Sequence, residues 1–136
     1  KGMQKVAGGI SDAIEISVNW SKIEILYKEV IEYFKSKSIK FAAHLSHIYQ
    51  TGASIYFIFY INSDSESRAE KLFFKTWDEV LNIILKHNSS ISHHHGIGIV
   101  KRDLLKKEIG YGYELLSEIK NIVDPNRILN KGKLIG

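Results

Sequence analysis

A chain of 136 residues is one domain by length, and its 44% apolar content is enough for a hydrophobic core. With no cysteine there is no disulfide framework, thiol nucleophile or thiolate metal site, and no apolar run approaches the roughly 20 residues that cross a membrane. The formal charge of +4 is spread over Lys35, Lys37, Lys40, Lys131 and Lys133 rather than gathered in one stripe, so it describes a solvated surface and not a nucleic-acid groove. The first nine residues lack the apolar core of a signal peptide, and the absence of cysteine fits a reducing, cytoplasmic location.

Residues 1–11 are glycine-rich and without periodicity, which reads as a linker or truncated end; the domain proper is expected over 12–136. Residues 13–18 alternate apolar and polar, a short strand. Ser21, with Glu24 three residues later, forms the sequence of a capping box. Ile23, Leu26, Tyr27, Val30, Ile31 and Phe34 then give a helix one buried face as far as about residue 37. Strands are expected at 40–49 and 54–62, joined through Gln50, Thr51 and Gly52 as a hairpin. A polar loop leads to a helix over 66–87, with Ala69, Leu72, Phe73, Thr76, Trp77, Val80 and Ile84 inward. A fourth strand is expected within 88–95, and shorter helices at 101–107 and 111–123. Asp124 and Pro125 suit the cap and first position of a last helical turn, followed by an extended tail over 130–136. This order predicts an α+β fold: a ferredoxin-like antiparallel sheet (β-α-β-β-α-β) with extra C-terminal helices. Helices then cover one face of the sheet, leaving the other for a ligand or a partner.

The histidines carry the candidate chemistry. His93, His94 and His95 are adjacent and internal, and Gly96 and Gly98 follow, where glycine permits a tight turn or close approach to a flat ligand. Imidazole titrates near neutrality and can act as a general base. In an extended backbone His93 and His95 would face one way and His94 the other, so the three would not share one ion. A polar loop with incidental histidines is the alternative. In the third strand Ile55, Phe57, Phe59 and Ile61 form a core face, while Ser54, Tyr56, Ile58 and Tyr60 form an apolar face with hydroxyls. His44 and His47 on the preceding strand alternate to opposite faces, so at most one shares the Tyr56 face; both can equally be structural.

Four segments resemble a known family. Residues 46–57, Ser-His-Ile-Tyr-Gln-Thr-Gly-Ala-Ser-Ile-Tyr-Phe, resemble the SHxYxxGASLYF strand pair of FAD-linked oxidases and transferases of the vanillyl-alcohol oxidase superfamily, most similar to the alkyldihydroxyacetonephosphate synthases. Residues 90–98 resemble that family's SxSHHHGxG. Residues 124–134 resemble its closing DPNxIxNPGKL, with Lys131 where Pro is common. Residues 15–21 resemble its ETxxPWS, with Asn19 in place of Pro. The four keep their order along the chain.

The resemblance implies a cap domain that covers FAD and forms the substrate pocket. FAD would be held mainly by a separate FAD-binding domain or subunit, without which the chain is inactive; a homodimer is a further expected assembly. The implied reaction exchanges acyl for alkyl on dihydroxyacetone phosphate, in ether-lipid synthesis. Tyr56 lies at the family's acid/base tyrosine, and His93, His94 and His95 at its essential triplet. His95 is expected to deprotonate the substrate carbon, while His93 and His94 hold phosphate or developing charge. His44, His47 and Tyr60 are the expected substrate-facing neighbours, and Gly96, Gly98 and Asn130 the expected cofactor-facing positions. In a related branch, the FAD-linked 2-hydroxyacid dehydrogenases, a metal sits on two histidines and a glutamate. Those positions read here as His44, Tyr56 and His94, so no metal is expected. The alternatives are a cap of such a dehydrogenase or oxidase, a non-catalytic ferredoxin-like binding module, and a subunit that docks on a flavoprotein without supplying catalytic groups. An RNA-binding module is disfavoured because the Lys/Arg-Gly-Phe type of motif is missing.

Overall fold

The computed structural model describes residues 4–6 and 9–135. By internal packing the chain divides into two compact units, residues 1–95 and 96–136. Among the described residues no helix is long and apolar enough to cross a membrane.

The first unit holds strands β1 (Gln4–Val6), β2 (Gly9–Asn19), β3 (Lys40–Ile48) and β4 (Gly52–Asn62), with helices α1 (Trp20–Ser36) and α2 (Glu66–Lys86). All strand pairs are antiparallel, in the order β1-β2-β4-β3. Alternation sorts β2 and β4 into two faces. Ile10, Ile14 and Ile16 of β2 and Ile55, Phe57, Phe59 and Ile61 of β4 are buried, as are Leu26, Val30 and Phe34 of α1 and Ala69, Phe73, Trp77, Val80, Leu81 and Ile84 of α2. Phe34 stacks near Phe41 and Phe59, and Phe59 lies 5.9 Å from Phe73, so both helices cover the same face of the sheet. The opposite face carries Glu15, Tyr56, Ile58 and Tyr60.

Several expectations need correction. β2 begins at Gly9, so residues 9–11, expected as linker, pair with β4; residues 1–3, 7 and 8 lie outside the described residues. The Ser21–Glu24 capping box is not formed, because the helix already starts at Trp20 with Asn19 at the cap; Glu24 pairs instead with Lys28 one turn on. Tyr27, placed on the buried stripe, is 40% exposed.

The expected fourth strand is absent. Its backbone pairs with the sheet through an isolated bridge, Ser17 to Ser90, rather than a strand ladder, and β1 occupies the edge beside β2. The sheet order therefore does not show the ferredoxin-like topology; among the described residues the fold is α+β, with an antiparallel sheet and four helices. The local cause is visible. Ser90 Oγ donates to the Ser92 carbonyl at 2.7 Å and accepts from the Ser92 N–H, a side-chain turn that competes with a strand ladder.

The second unit holds α3 (Arg102–Ile109) and α4 (Tyr111–Val123). Of the expected helical turn after Asp124 only one hydrogen-bonded turn forms, Arg127 N–H to the Asp124 carbonyl at 2.9 Å, and no helix follows. Asp124 instead accepts from the Ile128 N–H and the Leu129 N–H, each at 3.0 Å, and pairs with Lys120. Those bonds reach four and five residues ahead, folding the segment as irregular turns.

Glu29 of α1 ties down the end of α2, with Lys86 Nζ and His87 Nε2 each 2.7 Å from its carboxylate oxygens. The Lys86 hydrogen bond, then that of His87, holds the Glu29 carboxyl below its ordinary range. A depressed folded-state value contributes stability above the unfolded pKa near 4.5, lost as the pH falls through the folded one. Glu29→Gln is expected to cost about 0.5–1 kcal/mol at pH 7, because solvent screens a pair at this depth, and much less near pH 3. Urea unfolding at the two pH values checks this; an equal loss at both would refute it.

Candidate active site on the open face of the sheet

Strand register assembles the floor of the site. Glu15 of β2 and His44 of β3 both pair with Tyr56 of β4, forming one row across three strands. The segment after α2 lays the histidine run over this row. Glu15 is fully buried, and its Oε2 accepts the backbone N–H of His93 at 2.9 Å and that of His94 at 3.3 Å. Its Oε1 lies 3.3 Å from Nδ1 of each of these rings. The carboxylate thus takes backbone donors that a fourth strand would have given to the ladder.

Each ring reaches a phenol on its far side. Tyr49 Oη is 2.9 Å from His93 Nε2, and Tyr56 Oη is 2.9 Å from His94 Nε2 and 3.3 Å from His95 Nε2. Partial desolvation first, and the Glu15 charge second, push the Tyr56 phenol above its ordinary value. It therefore stays protonated at neutral pH and has a hydrogen to give.

The structure brings together more of the predicted residues than alternation allowed. His93, His94 and His95 all meet tyrosines of the open face, because the run is a bend and not a strand. His44 and His47 also share this face. A register shift between Leu45 and Ile48 breaks the alternation, so His47 meets Ser54 while His44 stays opposite Tyr56, with ring centroids 6.2 Å apart. The His47 ring lies 4.9 Å from His93 and 5.0 Å from His94.

Tyr60 sits four residues beyond Tyr56 on the same face, with Lys40 Nζ 6.0 Å from its ring. Gly96, Gly98 and Asn130 belong to the second unit and have φ of +75°, +57° and +47°, the left-handed region where glycine turns most freely. Glu15 and Tyr49 were not anticipated from the sequence. Glu15 had a signal: it is the polar residue in an alternating strand whose neighbours Ile14 and Ile16 are both core.

Ligating atoms of His47, His93 and His94 lie within 4.8 Å of one another, close enough to share an ion. This trio differs from His44, Tyr56 and His94, the positions that match the metal ligands of the 2-hydroxyacid dehydrogenase branch. Toward a flavin, the face offers imidazole and phenol groups suited to a ring edge and its substrate. No glycine-rich phosphate cradle follows a strand among the described residues, so these groups fit the reacting end of such a cofactor and not its pyrophosphate.

A family model described as "FAD linked oxidases, C-terminal domain" matches residues 2–134. The chain is 29% identical over 131 residues to alkyldihydroxyacetonephosphate synthase of Dictyostelium discoideum, covering 91% of this chain and 21% of that protein. It is 30% identical over 137 residues to the uncharacterized FAD-linked oxidoreductase YgcU of Escherichia coli strain K12, covering 93% of this chain and 28% of that protein. A solved structure of an alkyldihydroxyacetonephosphate synthase superposes with a TM-score of 0.56 at 23% identity, over 89% of this chain and 20% of that one, which shows a shared fold. The chain thus spans 21% and 28% of the lengths of these two curated relatives.

Proposed function

The chain belongs to the C-terminal domain family of FAD linked oxidases, and from that premise we propose that it forms the substrate-side half of an FAD-dependent, alkyldihydroxyacetonephosphate synthase-like enzyme. In this reading the enzyme exchanges acyl for alkyl on dihydroxyacetone phosphate, and an FAD-binding domain or subunit completes it. The observation that carries the reading is the Tyr56 phenol, set between the Nε2 atoms of His94 and His95 at 2.9 and 3.3 Å on the open face.

When bound, the flavin supplies the electrophilic, electron-accepting partner for the substrate carbon. The residues of this chain bind the substrate and move protons. His95, half-buried beside Tyr56, takes the proton from the substrate carbon. Tyr56 holds a proton for the leaving carboxylate. His93 and His94 stabilise the phosphate or developing negative charge. His44, His47 and Tyr60 extend the substrate-facing surface.

In the full-length protein loaded with FAD, Tyr56→Phe and His95→Ala are each expected to lower turnover about 100-fold or more, the usual scale for a lost proton-transfer group. FAD content is expected to be unchanged, since in this reading the FAD-binding domain or subunit holds the pyrophosphate. Full turnover by either variant would remove that residue's role; exchange activity absent from the unaltered protein would remove the reading itself.

A further inference from the structure

Glu15, fully buried on β2, turns both carboxylate oxygens toward the histidine run. Its Oε2 accepts the backbone N–H of His93 at 2.9 Å and that of His94 at 3.3 Å, which fixes the carboxylate and directs Oε1 at the rings. Oε1 lies 3.3 Å from Nδ1 of His93 and 3.3 Å from Nδ1 of His94, and the two nitrogens are 3.0 Å apart. Three atoms that can each offer a lone pair thus form a nearly equilateral triangle. Its edges are those of a coordination face: ligands roughly 2.0–2.1 Å from a zinc ion at tetrahedral angles stand about 3.3 Å from one another. A single N–H between the two nitrogens would satisfy that pair alone. A cation satisfies all three atoms and sets positive charge against a carboxylate buried in the sheet.

The outer contacts suit the same ion. A ligating imidazole carries its hydrogen on the other nitrogen and gives it to a fixed acceptor. For His93 and His94 that acceptor is Tyr49 Oη and Tyr56 Oη, each 2.9 Å from Nε2. His47 brings a third imidazole, the ligating atoms of the three histidines lying within 4.8 Å of one another. It is exposed on β3 and closes on the ion by side-chain rotation.

We propose that Glu15 Oε1, His93 Nδ1 and His94 Nδ1, with His47 as fourth ligand, form a binding site for a first-row divalent cation, Zn2+ foremost. Imidazoles with one carboxylate suit such an ion, whereas Mg2+ and Ca2+ take oxygen ligands. Under the proposed reaction the cation supplies positive charge where His93 and His94 face the phosphate. Tyr56, accepting from His94 Nε2–H, keeps its own hydrogen for the leaving carboxylate. The binding site itself does not rest on that reading.

The test uses the full chain, made without a histidine tag, stripped with a chelator and titrated with ZnCl2 by calorimetry near pH 7.5, where imidazoles are largely neutral. One Zn2+ per chain is expected, with Kd below about 10 µM. Glu15→Gln, His93→Ala and His47→Ala should each weaken binding at least about tenfold. His44→Ala, on the same face but outside the set, should change it less than about threefold. Weaker binding by the unaltered protein overturns the proposal, as does an affinity unchanged in either His93→Ala or His47→Ala. A loss in His44→Ala equal to theirs places the ion at the dehydrogenase-branch positions and overturns it too. Should Glu15→Gln fail to fold, the histidine variants, which remove no fully buried group, still decide. The titration needs neither FAD nor turnover, so a failed exchange assay would sink the proposed reaction and leave this result standing.

Discussion

Phe34→Ala is expected to destabilise the first unit by about 3–5 kcal/mol, a large part of the roughly 5–15 kcal/mol that holds an ordinary domain folded. Phe34 is fully buried on α1. Its ring centroid lies 5.4 Å from Phe41, 6.1 Å from Phe59 and 6.4 Å from Phe57, so one side chain fills the space between helix and two strands. Truncation removes the transfer term of the ring and leaves a cavity lined by three other aromatics, which cannot collapse without shifting the strands. Phe57 and Tyr56 are neighbours on β4 with opposite faces, so the same shift reaches the floor of the site. Phe34→Leu, which keeps most of the volume, should cost about 1–2 kcal/mol. Urea unfolding of both variants checks the pair of values; a Phe34→Ala loss below about 1 kcal/mol would mean that this packing is not what stabilises the unit.

Gly52→Ala should also be severe, on the order of 3 kcal/mol, by a different mechanism. A Cβ on Gly52 would lie 2.1 Å from the Val18 carbonyl oxygen and 2.9 Å from Asn19 Cα. These are backbone atoms, so no flexible side chain can yield. Relief requires opening the β2–β4 ladder at Asn19 and Gly52, the last pair before the β3–β4 hairpin. That hairpin is anchored by the Tyr49 N–H bond to Gly52 O at 2.8 Å and the Trp20 N–H bond to Thr51 O at 3.1 Å. The Trp20 indole also donates to Tyr49 O at 3.0 Å. Displacing these contacts moves the Tyr49 phenol from His93. Thr51→Ala, at an exposed neighbouring position, should change stability by less than about 0.5 kcal/mol. If thermal unfolding puts the two variants at the same midpoint, close backbone approach is not why glycine stands at 52.

The glycine also explains part of the sequence resemblance in physical terms. Residues 46–57 hold a register shift, a hairpin, a close backbone approach and the central tyrosine of the site. Each constrains a different residue type, so the stretch was recognisable as a unit.

What the sequence determined by itself is the part governed by local periodicity and residue chemistry. Alternation in β4 separated Phe57 and Phe59 from Tyr56 correctly, since neighbours on an unbroken strand must point to opposite faces. Helical spacing marked Phe73, Trp77, Val80 and Ile84 as buried, because one apolar stripe had to find the sheet. The histidine run was conspicuous as chemistry before any fold was known. The tertiary structure alone decided how that chemistry is arranged. Strand alternation fails at His44, His47 and residues 93–95: a register shift turns His47, and a serine turn with a buried carboxylate bends the run out of the sheet. Glu15 lies 78 residues before His93, and no local pattern couples positions so far apart. Only the pairing of Glu15 with Tyr56 across β2 and β4, with the end of α2 delivering the histidines above them, makes the group a site. Side-chain type is written residue by residue, but hydrogen-bond direction depends on which groups the fold buries together.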